Sequence, residues 1–298
     1  MSAYDIQVAC DAVMTVGEGP LWAPEEKALY WVDIEGKAVH RLCAISGKHE
    51  QWAMPAEPSA LARDAQGGLV VAMRSGLAHL NTDNGELTHI AGAPYDQAIT
   101  RFNDGKVDAA GRFWVGTIYE PRDKPAAEMY VLERGKLRKA WAGGMTNSNG
   151  LGFSPDGKTM YHADTATHRV RSFDFDVKTG AVSNEREVRR FDDNKSSPSY
   201  GGRPDGAAVD SEGNYWVAMF EGGRVVKLSP SGEQLDEIRL PVRCPTMVAF
   251  GGADLCTLYI TSASKRPAEE LAAMPLSGKL LSVRVPVAGR IEPAYVAL

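Results

Sequence analysis

A chain of 298 residues, 44% hydrophobic and 24% charged, is long enough to bury a substantial core. Its net charge of -5 gives no electrostatic basis for nucleic-acid binding, and no apolar run approaches the ~20 residues of a membrane-spanning helix. The opening MSAYDIQVACD lacks a basic stretch followed by an apolar one, and the four cysteines (Cys10, Cys43, Cys244, Cys256) form no CxxC pair, so a reduced, cytoplasmic protein with plain buried thiols is expected.

The first expected element is a strand within DIQVACDAVM, residues 5–14. Six segments of common outline follow in order: EGPLWAPEEKALYWVDIEGKAVHRL, PSALARDAQGGLVVAMRSGLAHLN, NDGKVDAAGRFWVGTIYE, NGLGFSPDGKTMYHADTATHRVRSFD, DGAAVDSEGNYWVAMFEGGRVVKLS and PTMVAFGGADLCTLYITSAS. Each begins with a short strand of small residues. A turn such as DAQGG, DAAGR, SPDGK or DSEGN comes next, where Gly or Asn tolerates the positive φ that a hairpin demands. An alternating aromatic or β-branched strand succeeds it: LYWVDI, LVVAM, FWVGT, MYHADT, YWVAM, LYITS. Repeats of this length, each a small sheet, predict one six-bladed β-propeller over residues 1–298, with four-stranded antiparallel blades around a central channel. Residues 5–14 are expected to close the ring beside GRIEPAYVAL, joining both termini in the last blade. RPAEELAAM, residues 266–274, is the one expected helix, with Pro near its start.

In a propeller the innermost strand of every blade lines the channel, so equivalent positions at the strand starts converge at one mouth. Those positions are Glu18, Ser59, Asn103, Asn149, Asp205 and Thr246. Asn-Gly and Asp-Gly are common turn dipeptides, and any one alone reads as a turn. Their recurrence in register, each before an apolar strand, favours a shared site, and Glu18 between two glycines in VGEGPLW has no evident structural duty. An all-oxygen set with two carboxylates and neither His nor Cys suits a hard divalent cation, Ca2+ first, with Mg2+ or Mn2+ as alternatives. His162, in MYHADT with Asp164 on the same strand face, has no second histidine beside it and is expected to be a packed, hydrogen-bonded residue.

The motifs GEGPLW, RFNDGKVDAAGRFWVGT, NSNGLGFSPDGKTMYHADT and GRPDGAAVDSEGNYWVA together resemble the SMP-30/gluconolactonase/regucalcin-like family. The resemblance runs from about residue 14 through the sixth repeat. It implies a bacterial sugar lactonase with one divalent metal, Zn2+ joining the alternatives to Ca2+, at the channel mouth. It further implies Glu18, Asn149 and Asp205 as ligands, Asp205 as the acid/base residue, Arg101 and, on a looser match, Glu120 as contacts to substrate, and Asn103 near the metal, touching it directly, through water or through substrate. The residue types are consistent with that chemistry. A divalent cation polarises a lactone carbonyl, a carboxylate moves the proton of the attacking water, and Arg101 orients sugar oxygens. No GxSxG or HExxH supports another hydrolase mechanism. The competing expectation is a propeller that holds calcium or a ligand without turnover. Arg101 argues against it, because a guanidinium beside a purely structural cation is electrostatically unfavourable. A small-molecule sugar lactone is the expected partner, with no nucleic acid or membrane and a monomer or weak oligomer.

Overall fold

The computed structural model describes residues 4–297; Met1–Ala3 and Leu298, the ends of the expected 1–298 span, lie outside the described residues. Twenty-four strands form six four-stranded antiparallel sheets, the blades of a β-propeller. The innermost strands of blades one to six are Gly17–Ala23, Pro58–Arg63, Thr100–Val107, Ser148–Phe153, Arg203–Val209 and Pro245–Gly251. All six coincide with the small-residue strands expected from the repeats.

The second strands, expected to alternate, are instead buried along their whole length, as in Ala28–Asp33, Leu69–Met73 and Phe113–Tyr119. Both faces of each are covered, one by each neighbouring blade. In blade one, Tyr30 and Val32 pack towards blade two, whereas Leu29 and Trp31 pack towards blade six. In blade five, Tyr215 and Val217 face blade four, and Trp216 and Ala218 face blade six. The buried apolar residues accordingly fall into six clusters, one at each blade-to-blade interface. Each large side chain removed from water there contributes about 1.5–3 kcal/mol.

Two buried acids of the repeats serve the hairpins. Asp108 accepts from the Ala110 and Arg112 amides at 2.8 and 3.1 Å and from Trp114 Nε1 at 2.7 Å. Asp210 accepts from the Asn214 amide at 2.8 Å and Trp216 Nε1 at 2.9 Å. Each carboxylate closes a turn and anchors the tryptophan that follows, so neither is free for chemistry.

The ring closes differently from expectation in one respect. Ile6–Cys10 is the outermost strand of blade six, but it pairs with Leu280–Arg284 rather than with GRIEPAYVAL. Pro286, Pro293 and Gly289 explain the correction, since two missing N–H donors and a flexible residue disfavour a ladder strand. The tail instead runs across the end of the propeller opposite the inner-strand starts. Ala288 accepts from the Ser211 amide of blade five at 2.9 Å, the Tyr295 amide donates to Arg63 O of blade two at 2.7 Å, and the Val296 amide donates to Gly111 O of blade three at 2.9 Å. Glu292 pairs with the buried Lys106, and Tyr295 is buried among Phe113 and Tyr130. Residues 290–293 leave a cavity of only about 60 Å3 at that end.

The expected helix is present as Ala268–Ala273, after Pro267. Among the described residues no helix is long and apolar enough to cross a membrane. All four cysteines are free thiols; Cys10 and Cys244 are buried, but Cys43, the last residue of the strand Ala38–Cys43, and Cys256, just before Thr257–Ser262, are only half-buried, a correction to the expectation of four buried thiols.

Candidate active site

Every innermost strand carries one residue more than its neighbour at the same place. Glu18 and Leu21 pair with Val32 and Tyr30; Phe102 and Gly105 with Thr117 and Val115; Asn149 and Gly152 with Ala163 and Tyr161; Pro204 and Ala207 with Met219 and Val217. Blades two and six have the same irregularity at Pro58/Ala60 and Pro245/Val248. A bulge of this kind bends the strand and re-aims side chains out of the ladder. Here it turns the polar residue at the strand start of every blade but the second towards the axis. Glycine beside it is a steric requirement in blade four: Gly150 has φ +58°, and a Cβ there would lie 2.1 Å from Tyr215 Oη.

At that mouth lies a cavity of about 300 Å3. Glu18, Asn103, Asn149, Asp205 and Thr246 line it, as does Arg101. Ser59 does not; its hydroxyl donates to Ala72 O at 3.3 Å within blade two, which corrects the expectation that all six positions converge. Glu120 stands behind Arg101, 3.7 Å from its Nε, and is held by Arg74 Nη1 and Nη2 at 3.0 and 2.9 Å. A larger groove of about 510 Å3 separates the outer strands of blades three and four, but Glu185 is its only carboxylate.

One chain of hydrogen bonds fixes the polar wall. Arg101 Nη1 donates to Asn103 Oδ1 at 2.7 Å and to Phe102 O at 2.9 Å. Asn103 Nδ2 donates to Asn149 Oδ1 at 2.7 Å and to Ser148 O at 2.8 Å. Asn149 Nδ2 donates to Thr165 Oγ1 at 2.7 Å, and that hydroxyl donates to Pro204 O at 2.7 Å. Both amide orientations are thereby determined, and Asn149 Oδ1 keeps one lone pair free.

The carboxylates are compensated far less. The Asp205 side chain makes no hydrogen bond or ion pair among the described residues, and Glu18 accepts only from the adjacent Gly19 amide at 3.2 Å. Burial raises the Glu18 carboxyl well above the usual range, and repulsion from Asp205 and Asp104 adds to the rise. Asp205 is likewise pushed up, by burial and then by Asp104, against the pull of Arg203, Arg101 and Arg122. Two buried like charges that the surrounding arginines offset only in part are costly unless a cation joins them. No group of three His, Cys, Asp or Glu gathers among the described residues. A cation here would therefore need an amide beside the two acids, and Asn149 Oδ1 offers one. The donor set fits a hard divalent ion.

Asp104, Arg122, Arg203 and Thr165 were not among the expected site residues. Asp104 lies beneath the pair: its Oδ2 accepts from the Leu151 amide at 2.9 Å, its Oδ1 is buried without a partner, and burial raises its carboxyl to about 6. A sequence signal for Arg203 existed, because Arg203 precedes Asp205 by two residues as Arg101 precedes Asn103, and period two keeps both on the channel face. His162 is packed as expected, with Nε2 2.9 Å from Ser148 Oγ and Nδ1 3.1 Å from Arg171 Nη2.

The family model described as SMP-30/Gluconolactonase/LRE-like region matches residues 16–264. A 6-deoxy-6-sulfogluconolactonase from Pseudomonas putida is 45% identical over 282 residues, covering 94% of each chain. A regucalcin from Gallus gallus is 34% identical over 290 residues, covering 95% of each. The crystal structure of the calcium-binding protein regucalcin from Agrobacterium tumefaciens superimposes with a TM-score of 0.92 at 29% identity, covering 98% of each chain. With its six bladed sheets and a family match over most of its length, the chain belongs to the SMP-30/gluconolactonase/LRE-like family.

Proposed function

We propose that this protein is a lactonase that opens sugar lactones of the glucono-, xylono- or arabinonolactone type to aldonic acids, with one divalent cation, Ca2+ first, held by Glu18, Asn149 and Asp205. The observation that carries the reading is the pairing of two buried carboxylates, neither ion-paired among the described residues, with the hydrogen-bonded Arg101–Asn103 pair in one cavity. The acids provide for a cation; the arginine and amide, superfluous to ion holding, provide for a ligand rich in oxygen. Kinship with a sulfogluconolactonase supports the reaction class.

When bound, the cation would act as a Lewis acid on the lactone carbonyl oxygen, an effect of several kcal/mol. Arg101 and Asn103 hold ring hydroxyls and fix the face presented to water. Asp205 takes a proton from the attacking water as the oxygen–carbonyl-carbon bond forms. The ring C–O bond then breaks, and Asp205 returns the proton to the departing ring oxygen, which becomes a hydroxyl. The sum is one lactone and one water to one hydroxy acid, with no redox change. Glu120 keeps Arg101 oriented from behind and has a contact with substrate only where the ring reaches past the guanidinium.

The test is acid release from a panel of sugar lactones at slightly acidic pH, where spontaneous hydrolysis is slow, with and without chelator. Turnover that chelation abolishes and Ca2+ or another divalent ion restores is the expected result. Tight calcium binding with no turnover on any lactone would assign the site to ion holding instead.

A further inference from the structure

The charges around the cavity are distributed unevenly. On the side of blades six and one, Lys265 is paired with Glu35. Arg101 and Arg122 of blade three and Arg203 of blade five line the rest. Arg101 is spoken for by Asn103, Phe102 O and Glu120. Arg122 is not: its guanidinium makes no hydrogen bond or ion pair among the described residues, yet it lines the cavity. It sits after the strand Phe113–Tyr119 in a left-handed conformation, φ +58°, of the kind that costs a non-glycine residue about 1 kcal/mol or more. Its amide donates to Tyr119 O at 3.2 Å, which holds the turn.

Arg203 is only partly matched. Its Nε is buried without a partner. Its Nη2 lies 3.3 Å from Glu221 Oε2, but the same oxygen also takes Lys195 Nζ at 2.9 Å and Tyr200 Oη at 3.2 Å. Arg266 Nη1 lies 3.6 Å from the other oxygen of Glu221, so one carboxylate serves three cations. Phe220, which also lines the cavity, lies under the Arg203 guanidinium with its centroid at 5.2 Å and restrains that plane. A divalent ion would join Glu18 and Asp205, the acid on which Arg122 and Arg203 otherwise act across the cavity, and so leave both guanidinium groups available to another anion.

We propose that Arg122 and Arg203 form an anion-recognition subsite, so that the preferred substrate is a sugar lactone carrying an anionic group (a sulfonate, phosphate or carboxylate) away from its lactone carbonyl. The proposal rests on the lactonase reading for its substrate, and on the two arginines for its charge. Guanidinium forks suit the oxygens of all three groups.

The experiment compares kcat/KM for glucono-1,5-lactone with that for 6-deoxy-6-sulfogluconolactone, 6-phosphogluconolactone and a glucaric acid lactone. It uses the wild type, Arg122→Gln, Arg122→Lys and Arg203→Gln. The wild type is expected to favour at least one anionic lactone by about ten-fold or more, with the advantage shrinking as salt is raised. Arg122→Gln should cut that anionic-over-neutral ratio by about ten-fold, through KM, with partial recovery in Arg122→Lys. Which anionic lactone leads identifies the group. Calorimetric titration with the corresponding open-chain dianion and with gluconate reads the same preference without turnover. Absence of any anionic preference, or its survival in both glutamine variants, would overturn the subsite. Failure of every lactone to turn over would overturn the lactonase reading alone, and the calorimetric ratio would still decide the subsite.

Discussion

Replacing Asp205 with Asn should stabilise the metal-free protein while crippling it. In the metal-free state Asp205 is a buried carboxylate with no hydrogen bond or ion pair among the described residues, and repulsion from Glu18 and Asp104 adds to a burial cost that Arg203, Arg101 and Arg122 offset only in part. An uncompensated buried charge costs about 3–5 kcal/mol. The neutral amide leaves hydrogen bonds unmade at a cost of about 1–3 kcal/mol. The difference, about 2 kcal/mol in favour of the variant, corresponds to a rise of roughly 4 °C in Tm for a chain of this size. The effect depends on pH. The folded Asp205 carboxyl holds its proton to higher pH than the unfolded one, so the wild type is relatively stable below about pH 4 and loses that advantage as pH rises through the raised value. The gap between variant and wild type should thus be wide at pH 8.5 and nearly closed at pH 5. Differential scanning calorimetry in chelator at both pH values measures it. With saturating Ca2+ the order should reverse, and turnover of the variant should be lower by about 10² or more. A metal-free variant that melts at or below the wild type at pH 8.5, or a gap equal at both pH values, would refute the electrostatic reasoning. Turnover restored to near the wild-type level by saturating metal would reduce Asp205 to a ligand.

Glu18→Gln removes ligand charge without touching proton transfer, so its loss should appear as metal affinity weaker by about ten-fold or more, with turnover recovered by excess metal in a titration. Asn103→Ala breaks the link between Arg101 and Asn149; kcat/KM should fall by about 10- to 100-fold, the scale of a hydrogen bond to a charged group, while calorimetric metal affinity changes less. Gly150→Ala places a Cβ 2.1 Å from Tyr215 Oη at φ +58°. It should cost about 3 kcal/mol of stability by thermal unfolding, as left-handed strain and overpacking add. An Ala variant as stable as the wild type would show that the blade-four bulge relaxes without cost.

The fold was readable because each blade repeats the same physical problem. A short inner strand, a turn needing positive φ and a second strand apolar on both faces leave a mark every forty to fifty-six residues, and six such marks leave little choice of architecture. The polar residue at each strand start was readable for the same reason, and five of the six do face one cavity. Ser59 was not distinguishable from them, because whether a hydroxyl turns to the axis or back to Ala72 O depends on the local bend of one strand. Asp104 was hidden inside an Asp-Gly dipeptide that also reads as a turn. Arg122 was hidden in a loop, YEPRDKPAAEM, whose path no periodicity constrains. The tail misled for the opposite reason: its alternating residues look like a strand, and only the absence of proline N–H donors speaks against a ladder.

The tail across the far end has a consequence for traffic through the channel. Residues 290–293 lie over that end, and the small cavity beside them shares no lining residue with the cavity at the mouth, which is therefore a cul-de-sac. Whatever enters must leave by the same doorway. A lactone cannot follow its predecessor through, as it could in an open tube, but must wait until the hydroxy acid has vacated the site. Product and substrate then exclude one another, so the acid should inhibit competitively, and the rate at high lactone should be governed by how fast that single doorway clears.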